Sequence, residues 1–238
     1  MQAVVLVGGK GERLKPLTNN IPKPMVEVAG KPFLEHLLIL LKKNGISKFL
    51  FLAGYLGHII KDYFGNGNKW DVGIEYSFEN KPIGTGGALY LAKEKLNETF
   101  FLLFGDSYLP INYRQMASEY MKHNKKVMLA VYDNVEDTDV PPNIVLDETL
   151  KIILAYKKGK NNPPAFNYCD AGVLIVKRDV VKLIGDKTPI SFEEVIYPRL
   201  ITEKELGYYI SECRFYDIGI IERLKSFELA YILKNEKI

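Results

Sequence analysis

The first half of the chain alternates short, almost wholly apolar runs with stretches whose apolar positions recur near the helical period. Gln2–Val7 is apolar and rich in β-branched residues, a strand that starts at once. Lys31–Asn44 carries apolar residues at Phe33, Leu34, Leu37, Leu38, Leu40 and Leu41, which predicts a helix capped by Gly45. The same reading gives strands at Lys48–Gly54, Gly73–Phe78 and Thr99–Phe104, and helices at Leu56–Phe64 and Gly86–Leu96. Buried apolar strands separated by helices imply parallel βαβ units with helices on both faces, a doubly wound sheet. Ligands in such sheets bind beyond the carboxyl ends of the strands. Gly8 and Asp106 sit at two of those ends, so they are expected to be neighbours in space.

The second half is less regular. Strands are expected at Lys126–Tyr132, Asn143–Asp147, Ile152–Tyr156, Ala171–Lys177 and Leu206–Ser211. Helices are expected at Tyr113–His123, Phe192–Thr202 and Ile221–Lys234. Asn134–Pro142 and Lys158–Pro164, rich in Pro, Asn and charge, read as loops. No tandem repeat, low-complexity tract or linker divides the chain. Its 238 residues are expected to form one α/β domain around a mixed, mostly parallel sheet, in two functional halves, 1–110 and 111–238.

Composition narrows the function. An apolar share of 47% and a charged share of 26% exclude an intrinsically disordered chain. Apolar runs such as Phe100–Phe104 fall far short of the roughly 20 residues of a membrane span. A net charge of +3 is too small to imply nucleic acid, and a small anionic substrate fits it equally well. Cys169 and Cys213 show no metal-ligand spacing and read as free thiols of an intracellular protein. The start has no basic segment or cleavage pattern of a signal peptide, so a cytoplasmic location is expected.

The chemistry begins after the first strand. In Gly8-Gly9-Lys10-Gly11-Glu12-Arg13, closely spaced glycines let backbone N–H groups point at an anion. The loop is neither a Walker A motif nor a GxGxxG fingerprint. Pro16, Pro22, Pro24 and Pro32 stiffen the segment that follows, and Lys23 lies between two of them, pre-positioned for a fixed phosphate contact. Trp70, Tyr63 and Phe64 fit an ordinary core edge, and His36, His58 and His123 share no spacing that suggests a metal.

Val7-Gly8-Gly9-Lys10-Gly11-Glu12-Arg13-Leu14-Lys15-Pro16-Leu17-Thr18, then Pro22-Lys23-Pro24-Met25, resembles the signature of the sugar-1-phosphate nucleotidyltransferases, with Glu12 where that family usually has threonine. Gly84-Thr85-Gly86-Gly87-Ala88, Gly105-Asp106 and Tyr216-Asp217-Ile218-Gly219 extend the match. The resemblance implies a Rossmann-like nucleotidyltransferase fold and the reaction of an NTP with a sugar 1-phosphate to give an NDP-sugar and pyrophosphate. It implies Arg13, Lys23 and Asp106 as catalytic residues, with Asp106 and Asp217 sharing a Mg²⁺. The nucleotide falls to Leu6, Gly8, Gly9, Gly11, Glu79, Pro82, Gly84 and Thr85. The sugar phosphate falls to Tyr108, Asn143, Lys158 and Asp170.

Two departures bear on the substrate. Glu79 stands where many thymidylyl- and uridylyltransferases have glutamine. An ionised glutamate can only accept, which suits the adjacent N1–H and N2–H₂ donors of guanine and repels the carbonyls of thymine and uracil. GTP is therefore expected, with CTP second, and the loop resembles that of guanylyltransferases for mannose or manno-heptose phosphates. Lys157 stands where the family often has a glutamate that contacts sugar hydroxyls, so the sugar carries extra negative charge or is read by other residues. A cytidylyl-, thymidylyl- or uridylyltransferase, an enzyme of a small non-sugar phosphate such as phosphocholine, and a non-catalytic regulatory homologue are the alternatives. Small-molecule partners, no nucleic acid and no membrane are expected, and a homodimer stays open. Beyond Asp217 only 21 residues remain, so no appended domain is expected.

Overall fold

Alternation along the first strand decides the layering. In β1 (Gln2–Val7), Ala3, Val5 and Val7 enter one apolar core while Val4 enters another on the opposite face. The computed structural model describes residues 1–159, 161–185 and 188–235; Lys160, within the expected loop 158–164, lies outside them. After β1 come β2 (Glu27–Val28), β3 (Lys31–Pro32), α1 (Phe33–Lys43), β4 (Lys48–Ala53), α2 (Gly57–Phe64), β5 (Gly73–Phe78), α3 (Gly84–Leu91) and β6 (Thr99–Phe104). The second half adds β7 (Ser107–Tyr108), α4 (Tyr113–His123), β8 (Val127–Tyr132), β9 (Ile144–Asp147), β10 (Ile152–Tyr156), β11 (Cys169–Lys177), α5 (Phe192–Thr202), β12 (Leu206–Ile210), β13 (Tyr216–Asp217) and α6 (Ile221–Asn235).

Nine strands form one sheet in the order β5-β4-β1-β6-β11-β8-β12-β10-β9. All but β11 and β10 run the same way, the mixed, mostly parallel sheet expected from the sequence. The chain winds outward from β1 through β4 to β5, then returns to place β6 on the other side of β1. That reversal leaves a crevice at the carboxyl ends of β1 and β6. One face of the sheet is covered by α1, α2 and α4 through Leu37, Ile60 and Met116. The other is covered by α3 and α5 through Leu89, Ile196 and Leu200.

Boundaries shift where local chemistry intervenes. The helix expected at Gly86–Leu96 starts at Gly84 and stops at Leu91, after which Lys93–Lys95 forms a 3₁₀ turn. β11 begins two residues earlier than expected, at Cys169, and so takes in Asp170. A third apolar cluster, with Leu14, Val28, Phe33, Ile218 and Phe227 at its centre, lies outside the sheet. It pins the glycine-rich loop, the proline-rich segment and α6 to one another. Among the described residues no helix is long and apolar enough to cross a membrane.

Candidate active site

The crevice holds a cavity of about 480 Å³. Gly8 and Gly9 line it from the end of β1, and Asp106 lines it from the end of β6, the juxtaposition expected from the sequence. The two strand ends are tied by Gly105 N–H donating to the Leu6 carbonyl at 2.9 Å. Leu6, Glu79, Pro82, Gly84 and Thr85 of the expected nucleotide set also line its wall, and Leu52 and Phe104 add an apolar side that motif reading had not singled out. An adjoining cavity of about 390 Å³ shares Lys23 and Asp106 with the first and reaches Gly11, Arg13 and Gly219.

Lys23 opens a 3₁₀ turn, Lys23–Met25, between the two prolines that stiffen it. Its ammonium is buried and donates to Asp106 Oδ2. Asp217 arrives from the far end of the chain because β13 pairs antiparallel with β7, setting Asp217 opposite Ser107. The Ile218 N–H then donates to the Asp106 carbonyl at 3.0 Å. Asp217 Oδ1 accepts from Gly219 N at 2.6 Å and lies 3.1 Å from Arg223 Nε. Burial raises the Asp217 carboxyl above its ordinary range, with Arg223 opposing that shift. Arg223, on the first turn of α6, was not foreseen; its signal was an arginine six residues beyond a candidate ligand. Arg13 is exposed on the short turn anchored by buried Leu14.

Glu79 lies at the end of β5, its N–H donating to the Ala53 carbonyl at 2.9 Å. Its carboxylate folds back over Gly8 and Gly54. A side chain at Gly54 would put Cβ 2.6 Å from Glu79 Oε1, so the absence of one there makes the carboxylate's place. Oε2 accepts from Ile83 N at 3.3 Å, and burial raises the carboxyl's pKa above its ordinary value. Glu79 thus faces the cleft rather than solvent.

The residues expected to take the sugar phosphate are only partly together. Asn143 Oδ1 accepts from Asp170 N at 2.9 Å. Asp170 Oδ1 accepts from Gly172 N at 2.8 Å, and burial pushes its carboxyl up to about 6, with nearby Glu193 adding to the rise and Lys158 opposing it. Lys158 Nζ lies 3.8 Å from Glu193 Oε2 and 3.7 Å from Glu194 Oε1. Lys157 is exposed, and the carboxylates near Lys158 come from α5 and β11 instead of position 157. Glu193 was missed because a buried glutamate near a helix start has no pattern of its own.

Tyr108 does not line the cleft. On β7 successive side chains alternate, and Ser107 takes the side that faces Gly172 of β11. Tyr108 is turned the other way, into the aromatic packing around Phe227, with ring centroids 5.0 Å apart. Its expected place in a sugar pocket is corrected accordingly.

The donor set tests the expected Mg²⁺. Among the described residues no group of three or more His, Cys, Asp or Glu could hold a metal. Mg²⁺ does not require one, since it commonly takes one or two carboxylates and completes its shell with water and substrate phosphates. Asp106, in the turn between β6 and β7, and Asp217, on β13 beside it, are hard oxygen donors and fit that pattern.

A family model described as nucleotidyl transferase matches residues 2–232. D-glycero-alpha-D-manno-heptose 1-phosphate guanylyltransferase of Aneurinibacillus thermoaerophilus is 31% identical over 221 residues, covering 92% of this chain and 94% of that protein. Mannose-1-phosphate guanylyltransferase of Mycobacterium tuberculosis is 32% identical over 210 residues, covering 88% of this chain and 58% of that protein. The crystal structure of HddC from Yersinia pseudotuberculosis complexed with GMP-PN matches with a TM-score of 0.79 at 24% identity, covering 97% of this chain and 99% of that one. The last likeness is one of fold.

Proposed function

Because this chain belongs to the nucleotidyl transferase family and acts on a sugar 1-phosphate as a nucleotidyltransferase, we propose that its substrates are GTP and a manno-configured sugar 1-phosphate, mannose or heptose. The observation that carries the choice of base is Glu79, an acceptor-only carboxylate turned into the cleft over Gly8 and Gly54. Guanine offers it two adjacent donors; thymine and uracil offer one N–H flanked by carbonyls. The names of the relatives at 31% and 32% identity point the same way.

In this reading an oxygen of the sugar phosphate attacks the α-phosphorus of the nucleotide in line. A P–O bond forms there as the bond from the α-phosphorus to the bridging oxygen breaks, and pyrophosphate departs with that oxygen. No protein nucleophile is needed. The protein brings two polyanions together and stabilises the charge that moves onto pyrophosphate. The glycine-rich loop wraps the triphosphate, Arg13 holds its outer phosphates, and Lys23 bridges the reacting ones. Lys158 binds the sugar phosphate, with Asn143 and Asp170 beside it. Asp106 and Asp217 would hold the Mg²⁺, which when bound neutralises phosphate charge and lowers the barrier to attack at the α-phosphorus.

Pyrophosphate release measured for GTP, CTP, UTP and dTTP against mannose, glucose and heptose 1-phosphates tests the reading. GTP with a manno-configured partner is expected to give the highest kcat/KM. Preference for UTP or dTTP would sink the assignment of the base, and preference for glucose 1-phosphate that of the sugar.

A further inference from the structure

Glu193 is a buried carboxylate that the mechanism above does not use, and burying a charge is costly unless it is paired. It lies on the first turn of α5, yet the helix does not need it as a cap. Ser191 Oγ already accepts from Glu194 N at 3.3 Å, and Thr85 Oγ1 accepts from Phe192 N at 2.8 Å. What Glu193 adds is a link. Its Oε2 accepts from Thr85 Oγ1 at 3.0 Å and from Ser191 Oγ at 2.6 Å, and the same oxygen lies 3.8 Å from Lys158 Nζ.

The two ends of that link belong to different substrates. Thr85 lines the nucleotide cleft. Its segment is zipped to the one that leads into Glu193: Gly86 N donates to the Ile190 carbonyl at 3.0 Å, and Ile190 N donates to the Ile83 carbonyl at 2.9 Å. Gly84, at φ +78°, rests directly on the Ile190 backbone, where a side chain would collide. A shift of the nucleotide loop is therefore carried to Glu193. Two hydroxyl donors would be satisfied equally by a glutamine; only the approach of Lys158 calls for a charge. That ammonium is 53% exposed, so the pair adds little to stability. Its effect is to hold a cation in place beside the cleft.

From this geometry we infer that Glu193 is a positioning residue that couples the two substrates, the nucleotide at Thr85 setting Lys158 for the sugar phosphate. The inference rests on the substrate sides assigned above. Coupling of this kind is reciprocal: each substrate raises the affinity for the other by the same factor.

Calorimetric titration with the α,β-methylene analogue of GTP and with mannose 1-phosphate, each alone and at saturation of the other, measures that factor. Wild type is expected to give a factor of about 5 or more, within the usual range of coupling between sites. Glu193→Gln should bring it to within about twofold of unity while nucleotide affinity alone stays within about twofold of wild type. Glu194→Gln removes the other carboxylate near Lys158, 3.7 Å from its Nζ, but leaves the bond between Glu193 and Thr85, and should keep the coupling intact. An unchanged factor in Glu193→Gln, or a loss of nucleotide affinity alone as large as the loss of coupling, would overturn the inference. If Glu193→Gln does not fold, Lys158→Gln cuts the link at its exposed end, and a wild-type factor there overturns it equally. A wild-type chain that binds both probes independently refutes the coupling alone; one that binds neither refutes the substrate reading with it.

Discussion

Glu79 owes its place to side chains that are missing. Gly8 and Gly54 leave room for the carboxylate where any Cβ would intrude. In the function proposed above, base specificity follows from this one carboxylate. Glu79→Gln keeps the size but replaces one acceptor by a donor, so it should lower kcat/KM for GTP by about 10- to 100-fold, the scale of a lost charged hydrogen bond. The same variant should raise activity with UTP or dTTP, because an amide can donate to a pyrimidine carbonyl. Steady-state rates with the four nucleotides check both directions. A variant with wild-type GTP preference would remove Glu79 from base recognition.

At the scale of elements, α6 acts as a clasp. Its buried Phe227 packs against Phe33 with ring centroids 4.9 Å apart and closes the cluster that also holds Leu14 and Ile218. Leu14 anchors the turn that carries Arg13, and Ile218 follows Asp217. Phe227→Ala should destabilise the fold by about 3–5 kcal/mol. Because the cluster sits beside the site, kcat should also fall at temperatures where the variant remains folded. Thermal melting and turnover at low temperature separate the two effects. The elements themselves were largely legible. Tyr113–His123 and Phe192–Thr202 have the bounds that periodicity predicts, since each carries a sustained apolar stripe and starts at a polar cap, Asn112 or Ser191. The course of the second half was not legible. No local pattern tells that β11 inserts antiparallel between β6 and β8, because strand order is decided by long-range packing. Glu193 and Arg223 escaped notice while Lys23, Asp106 and Glu79 did not. Glu193 acts through Thr85, 108 residues away, and Arg223 belongs to no motif, whereas Lys23, Asp106 and Glu79 sit in short motifs. Tyr108 was misplaced because alternation on a two-residue strand cannot be phased from sequence.

Over the whole molecule, stability should carry the mark of Asp170. Its carboxyl titrates at about 6 in the fold, against about 3.9 for an exposed aspartate. Below the lower value both folded and unfolded chains are protonated and the site contributes no pH dependence. Between about 3.9 and about 6 the unfolded chain ionises while the folded one keeps its proton, so stability falls as pH rises, and above about 6 the loss is complete. Asp170→Asn removes that titration and leaves an acceptor for Gly172 N. The variant should be more stable than wild type at pH 8, by on the order of 1–2 kcal/mol, and the gain should vanish near pH 4. Melting curves across that range check it; a gain independent of pH would point to packing instead. Its binding of a sugar phosphate should weaken at the same time if Asp170 serves that substrate.

The sheet has one more consequence. Eight of its nine strands lie side by side from β5, beside Glu79, to β10, beside Lys158. In the proposed reading this shared sheet lies under both substrates, and among the described residues it joins the two halves of the chain instead of parting them into lobes that could swing. Enclosure of the substrates therefore falls to the loops on the rim, and the radius of gyration measured by small-angle X-ray scattering should be the same with and without nucleotide and sugar phosphate.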